Sequence, residues 1–198
     1  MIKQRTLKDS VSAVGVGLHK GEKVRVTLRP APANTGIVFR RVDLDPVVDI
    51  KATPEAVGET TLCTCLVNEE GVQISTVEHL LSAIAGIGID NLIIDVDSPE
   101  IPIMDGSAFP FVEAINQVGI EEQDAEKDYF VVTENLTYED TERQTEMLLV
   151  PQDEFRLTVM VDYNSPLLGT QHAHMYHHGE FESEISSSKN KYNSKMFP

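Results

Sequence analysis

The segment "ISTVEHLLSAIAG", residues 74–86, constrains the fold more than any other. At 100° per residue, Val77, Leu80, Leu81 and Ile84 fall on one compact apolar stripe, and Glu78 and His79 fall off it. A helix this short is marginal alone and needs an apolar surface to cover. Strands on either side supply one. "EKVRVTL" (22–28) alternates charged and apolar residues, the pattern of a half-buried strand, and "NLIIDVD" (91–97) is a nearly continuous apolar one. The helix stops at the glycines of "AGIGID". A second helix is expected in "SAFPFVEAINQVGI", with Ser107 as N-cap, Pro110 in the first turn and Gly119 as the stop. Strands followed by helices predict an α+β two-layer sandwich, a sheet with helices on one face.

Beyond that domain, "EEQDAEKD" (121–128) is acidic, has no apolar pattern and reads as a linker. After it, "YFVVTENLTY", "EMLLVP" and "FRLTVMVDY" read as strands, and "HGEFESEISSS" as the start of a helix. The expected division is a first α+β sandwich over 1–126 and an incomplete second α+β domain of similar architecture over 127–188. Residues 189–198, "KNKYNSKMFP", form an atypical, polar, lysine-rich tail.

The net charge of −16 argues against a nucleic-acid partner. It is unevenly spread: residues 1–41 carry nine bases against two acids, a local +7 that could suit a phosphate-bearing small molecule. No run of eighteen apolar residues is present, and the start "MIKQRTLKDS" has no apolar signal core, so a cytoplasmic protein is expected. Cys63 and Cys65, two apart in "LCTCLV", would share one face of a strand, poor geometry for a disulfide.

Two readings of Glu78 and His79 stay open on spacing alone. "S-T-V-E" is a capping box, with Ser75 as N-cap and Glu78 reaching back to its amide. Alternatively His79 is a metal ligand and Glu78 a general base beside it, although the spacing is not that of H-E-x-x-H. The small residues Ser82, Ala83 and Gly86 on His79's side of the helix permit close approach by another element, for which the second domain is the natural candidate. "QHAHMYHH" brings His172, His174, His177 and His178 within seven positions. It reads either as an exposed loop or as a metal-binding module.

The combination of "RTLKDSVSAVGVGLHKGEKVRVTLRPAPANTGIVFRR", "LCTCL", "ISTVEHLLSAIAGIGIDN" and "PEIPIMDGSAFPF", in that order, closely resembles the zinc-dependent UDP-3-O-acyl-N-acetylglucosamine deacetylases of lipid A synthesis. The resemblance is dense over 1–120 and looser to about 188. It implies two α+β sandwiches, Zn2+ as cofactor, His79 as a zinc ligand and Glu78 as general base. It places His19, Leu62 and Cys63 along the substrate path. The implied substrate is a UDP-linked acylated glucosamine, and a monomer is expected. Asp105 and Gly106 belong to the family signature but read as turn chemistry. The family's remaining zinc ligands and general acid have no counterpart in the chain. Lys189, Asn190 and Lys191 stand where the family has an Arg-Thr-Phe stretch. The chain therefore reads as truncated or frameshifted, and inactive alone; a non-catalytic folded remnant is the alternative. The second-domain strands look closer to versions fused to a hydroxyacyl-carrier-protein dehydratase.

Overall fold

A computed structural model describes residues 2–188. The atypical tail expected at 189–198, with Lys189, Asn190 and Lys191, lies outside the described residues. Two compact units are present. The larger runs to Lys127 and takes up the chain again at Glu182, and the smaller spans Asp128–Phe181.

The larger unit is built on a five-stranded mixed sheet. Its strands are β2 (Val11–Val16), β3 (Lys23–Pro30), β4 (Ile37–Arg41), β5 (Val48–Lys51) and β8 (Leu92–Val96), in the order β2-β3-β8-β4-β5. Only β4 and β8 run parallel. The alternation in β3 and β8 does what the sequence implies. Val24, Val26, Leu28, Leu92, Ile94 and Val96 are buried on one face. The other face carries exposed pairs such as Arg29–Asp95 and Arg40–Asp49. A sheet with one wet face needs a single covering layer. Helices α1 (Glu78–Ile87) and α2 (Phe109–Val118) supply it, packing on each other and, through α2, against β2. The expected α+β sandwich is therefore present.

Both helix stops are as expected. Gly88 takes the left-handed conformation at φ 80°, and Gly119 follows α2 at φ 77°. Ser107 stands one place before the cap residue, Ala108, and its hydroxyl accepts the Phe109 amide at 3.2 Å. The α1 stripe is rotated from the expected one. Ala83 is fully buried and Leu81 only half-buried, because α1 leans on α2 as well as on the sheet.

The acidic stretch taken for a linker is strand β9 (Ile120–Glu126), paired antiparallel with β1 (Lys3–Leu7). Polar contacts, not apolar burial, hold it, which is why no apolar pattern marks it. Asn91 is 1% exposed, and its amide nitrogen donates to Gln4 Oε1 at 2.8 Å and Gln123 Oε1 at 2.7 Å. Its carbonyl oxygen accepts the Gly36 amide at 2.8 Å. Gln123 continues the chain of bonds to the Ala31 carbonyl, and Gln4 to Asn34 and the Glu126 carbonyl.

In the smaller unit, β10 (Leu136–Asp140) pairs with β11 (Thr145–Leu149), and β12 (Leu157–Asp162) with β13 (Thr170–Met175). The two hairpins form separate two-stranded sheets. Tyr129–Val132, expected in a strand, lie outside one, since no neighbouring strand takes their backbone groups. Every residue of β12 is exposed, and Phe130, Met160 and Leu167 stand 83%, 73% and 90% exposed. The helix expected from 178 is two short turns, a 3-10 turn at His178–Glu180 and a wider one at Phe181–Ile185.

Asn91→Ala should destabilise the larger unit by about 2–4 kcal/mol, because the Gly36 amide and the two glutamine carbonyls lose a buried partner together. Urea unfolding read through the amides of β1 and β9 measures this. A loss below about 0.5 kcal/mol would show that the glutamines re-pair without Asn91.

Candidate functional site

The approach to α1 is unlike a capping box. Ser75 is used as a strand residue: its amide and hydroxyl both donate to the Pro99 carbonyl, at 2.9 and 3.3 Å, and its own carbonyl accepts the Ile101 amide at 3.0 Å. Thr76 then turns the chain at φ 61°, a conformation a β-branched residue rarely adopts. That turn removes Ser75 from the helix axis, and Val77 becomes the cap residue with no side-chain bond. The strain, about 1–3 kcal/mol, is offset by what the turn allows. Val77, Leu80 and Ile84 enter the core, each contributing about 1.5–3 kcal/mol.

Freed from capping, Glu78 reaches across fourteen residues. Its Oε2 accepts the Thr64 amide at 3.1 Å, and the Val77 amide donates to the Thr64 carbonyl at 3.3 Å. Thr64 lies in the segment expected to be a strand. Residues 59–65 are instead a bent loop, and only β6 (Leu66–Val67) pairs, with β7 (Gln73–Ile74). Arg41, buried at the end of β4, ties β7 down by donating to the Gln73 carbonyl at 2.8 Å. It grips Asp43 with two further bonds, at 2.8 and 2.7 Å, and its guanidinium holds that carboxyl below the usual carboxylate range.

The structure brings Glu78, His79 and the loop of Cys63 into one neighbourhood. His79 is half-buried, and its Nδ1 is sealed from solvent with no hydrogen-bond partner. Leaving such a nitrogen unpaired costs about 1–3 kcal/mol, so the ring has capacity for a ligand that its own unit does not satisfy. Among the described residues no three His, Cys, Asp or Glu side chains cluster as metal ligands. The donors present thus fit one ligand of a zinc ion and not a full set, since a catalytic zinc takes three protein ligands.

Cys63 and Cys65 remain thiols, with sulfurs 3.7 Å apart although they are not on a strand. Burial, then the Cys63 neighbour, pushes the Cys65 thiol up to about 11. Leu62 is 80% exposed on the same loop. His19 stands exposed at the turn between β2 and β3, and its link to this region is through its backbone: its amide donates to Glu100 Oε1 at 2.9 Å. Asp105 makes turn and cap bonds, accepting the amide and hydroxyl of Ser107 at 3.0 and 2.7 Å.

All four clustered histidines are exposed, two on a strand and two beyond it, and among the described residues no three of them come together. His172 and His174 project from β13 with rings stacked at 6.3 Å. His177 Nε2 lies 3.1 Å from Glu180, and His178 packs edge-on to Phe155. Four of the nine bases of the N-terminal segment are engaged with acids of their own unit: Lys3, Arg29, Arg40 and Arg41 pair with Asp124, Asp95, Asp49 and Asp43. Among the described residues no helix is long and apolar enough to cross a membrane.

A mixed sheet covered by two helices, with a carboxyl–imidazole pair opening the first of them, is the arrangement of an α+β two-layer sandwich protein with a polar site at a helix start. Residues 4–192 match the sequence model of the UDP-3-O-acyl N-acetylglycosamine deacetylases (LpxC), and the chain belongs to that family. It is 68% identical over 168 residues to the UDP-3-O-acyl-N-acetylglucosamine deacetylase of Colwellia psychrerythraea, covering 85% of this chain and 54% of that protein. To the deacetylase of Pseudoalteromonas atlantica it is 52% identical over 192 residues, covering 96% and 62%. The chain thus spans little more than half the length of the curated relatives it matches.

Cys65 should resist alkylation by iodoacetamide at pH 8, where a thiol titrating near 11 is about one part in a thousand thiolate. Its raised pKa favours the fold while the unfolded thiol is still protonated. That advantage is lost as pH rises from the ordinary thiol value towards 11. Peptide mass mapping after timed labelling checks it: equal labelling of Cys63 and Cys65 at pH 8 would contradict the burial of Cys65.

Proposed function

We propose that this chain supplies the Glu78–His79 half of a zinc-dependent deacetylase. The reaction is hydrolysis of the N-acetyl group of a UDP-3-O-(3-hydroxyacyl)-N-acetylglucosamine in lipid A synthesis, with release of acetate. The observation that carries this reading is the pairing of a carboxyl group held by a backbone amide with a neighbouring imidazole whose buried nitrogen has no partner. Membership of the family supports reading that pair as base and metal ligand.

In this reading His79 holds the ion as one of its ligands. When bound, the ion would supply Lewis-acid polarisation of the acetyl carbonyl and activation of water. Glu78 takes the proton from the attacking water. The Thr64 amide fixes one of its carboxyl oxygens, and the other remains to meet the water. Fixing the base this way removes rotamer freedom that would otherwise be lost at the moment of reaction. Cys63, Leu62 and His19 line the approach of the substrate, and the acyl chain and sugar meet the exposed Leu62 loop. Cytoplasmic location and a monomeric state go with this reading as expectations.

A chimera in which residues 1–127 replace the matching segment of the Colwellia psychrerythraea protein tests the assignment. The parent chimera should release acetate from the UDP substrate. Glu78→Gln should lower kcat by about 100-fold or more at little changed KM, the contribution of a general base. His79→Ala should lose bound zinc, measured by elemental analysis. Glu78→Gln within about threefold of the parent would remove Glu78 from the mechanism.

A further inference from the structure

One buried side chain links the two segments on which the proposed site rests. Glu100 is 1% exposed. Its Oε1 accepts the His19 amide at 2.9 Å and, more weakly, the Thr76 hydroxyl at 3.4 Å. Its Oε2 accepts the Lys20 amide at 3.2 Å. The same carboxyl group therefore holds the turn that carries His19 and the strained residue two places before Glu78. Thr76 is itself buried, 2% exposed.

The backbone reinforces this junction. Ser75 bridges in parallel to Glu100, and the Ile103 amide donates to the Val16 carbonyl at 3.0 Å. Gly17 shows how closely the loop is drawn in. A Cβ there would lie 2.5 Å from Glu100 Oε2 and 2.9 Å from its carboxyl carbon. Only glycine lets the turn approach the carboxyl group this closely, and the Gly17 and Gly21 backbones close the turn over it through their own 3.0 Å bond.

We propose that Glu100 is a positioning residue. It locks the His19 turn to Thr76, so that the direction in which Glu78 and His79 leave the sheet is set by the same group that sets the His19 turn. Its importance for catalysis rests on the proposed roles of Glu78 and His79. The mechanical link does not, and the two can be read separately.

The link is tested in the full 198-residue chain by nuclear magnetic resonance. Glu100→Gln keeps the shape and removes one acceptor. Amide exchange at His19 and Lys20 should accelerate about tenfold or more, the loss of one buried hydrogen bond. The imidazole resonances of His79 should shift with it, while the exchange of β3 and β8 amides stays unchanged. Gly17→Ala attacks the same contact from the opposite side and should give the same local pattern, which preserves the test if one variant fails to fold. Uniform acceleration across the larger unit in both variants, or no response at His79, would overturn the link. In the chimera, Glu100→Gln should lower kcat about tenfold or more with KM within about threefold, and Glu100→Asp should recover part of it. If Glu78→Gln leaves activity intact while the resonance pattern holds, the catalytic reading fails and the link stands. If kcat is unchanged in Glu100→Gln while Glu78→Gln is inactive, the positioning role fails.

Discussion

The buried amide of Asn91 is the constraint on which the larger unit depends. The sheet's apolar face could be assembled from β3, β8 and the helices alone, since those strands and helices carry their own pattern. The β1–β9 ribbon could not, because five of the seven residues of β9 are polar or acidic and the strand buries none of them fully. What fixes it is a set of amide–amide bonds radiating from Asn91 through Gln4 and Gln123 to the 31–36 loop. Neighbouring bonds act the same way. Asp90 accepts the Arg5 amide and pairs with Lys127, and Thr6 relays between the Asn91 carbonyl and the Ala31 amide. The carboxamide network around Asn91 is neutral and favourable only when its members are satisfied, and Gln4, Asn34, Asn91 and Gln123 all find partners in it.

That mode of stabilisation explains which parts of the fold were legible. "EKVRVTL" and "NLIIDVD" declare their strands because the sheet is wet on one face, so alternation survives in the sequence. The glycine stops were legible because a left-handed residue at a helix end has few alternatives to glycine. β9 was misread as a linker because its partners are backbone groups and carboxamides some thirty to a hundred and twenty residues away, and no local periodicity records them. In the smaller unit the strand pattern is real, yet "YFVVTENLTY" yields a strand only at its end. β propensity needs a partner to hydrogen-bond, and the 129–132 backbone has none in a sheet.

The site divides in the same way. Placing Glu78 and His79 at the first turn of a helix followed from periodicity. The capping box did not survive, because the choice between capping and reaching outwards was made by Thr76. A threonine at positive φ carries no sequence signal. Nor could spacing have found Glu100. A single glutamate between two prolines and isoleucines reads as a surface residue, and only the approach of the 17–20 turn, about eighty residues earlier, converts it into a buried acceptor of three bonds. Local rules tend to fail where a structure serves a function, and the failure at Ser75 coincides with the proposed site.

Buried polar groups therefore do the positioning that caps and apolar stripes leave undone, and their chemistry sets how each junction responds to its surroundings. Asn91 carries no titratable proton, so the β1–β9 ribbon has no pH dependence from this source. Arg41 is different. It holds Asp43 below the ordinary carboxylate range, so the pair favours the fold above the unfolded carboxyl's pKa. The benefit fades as pH falls through the lowered value. Because the same guanidinium donates to the Gln73 carbonyl, protonation of Asp43 at low pH would loosen a group that also ties the strand leading into Ser75 and Thr76. The apolar contacts of Leu92, Ile94 and Val96 carry no titratable group, whereas on the sheet's other face Arg40 holds Asp49 below the ordinary range in the same way. Approach to the Glu78–His79 turn is thus secured by a charge-dependent tie at β7 and by the Glu100 junction, on a scaffold whose own stability is largely indifferent to both.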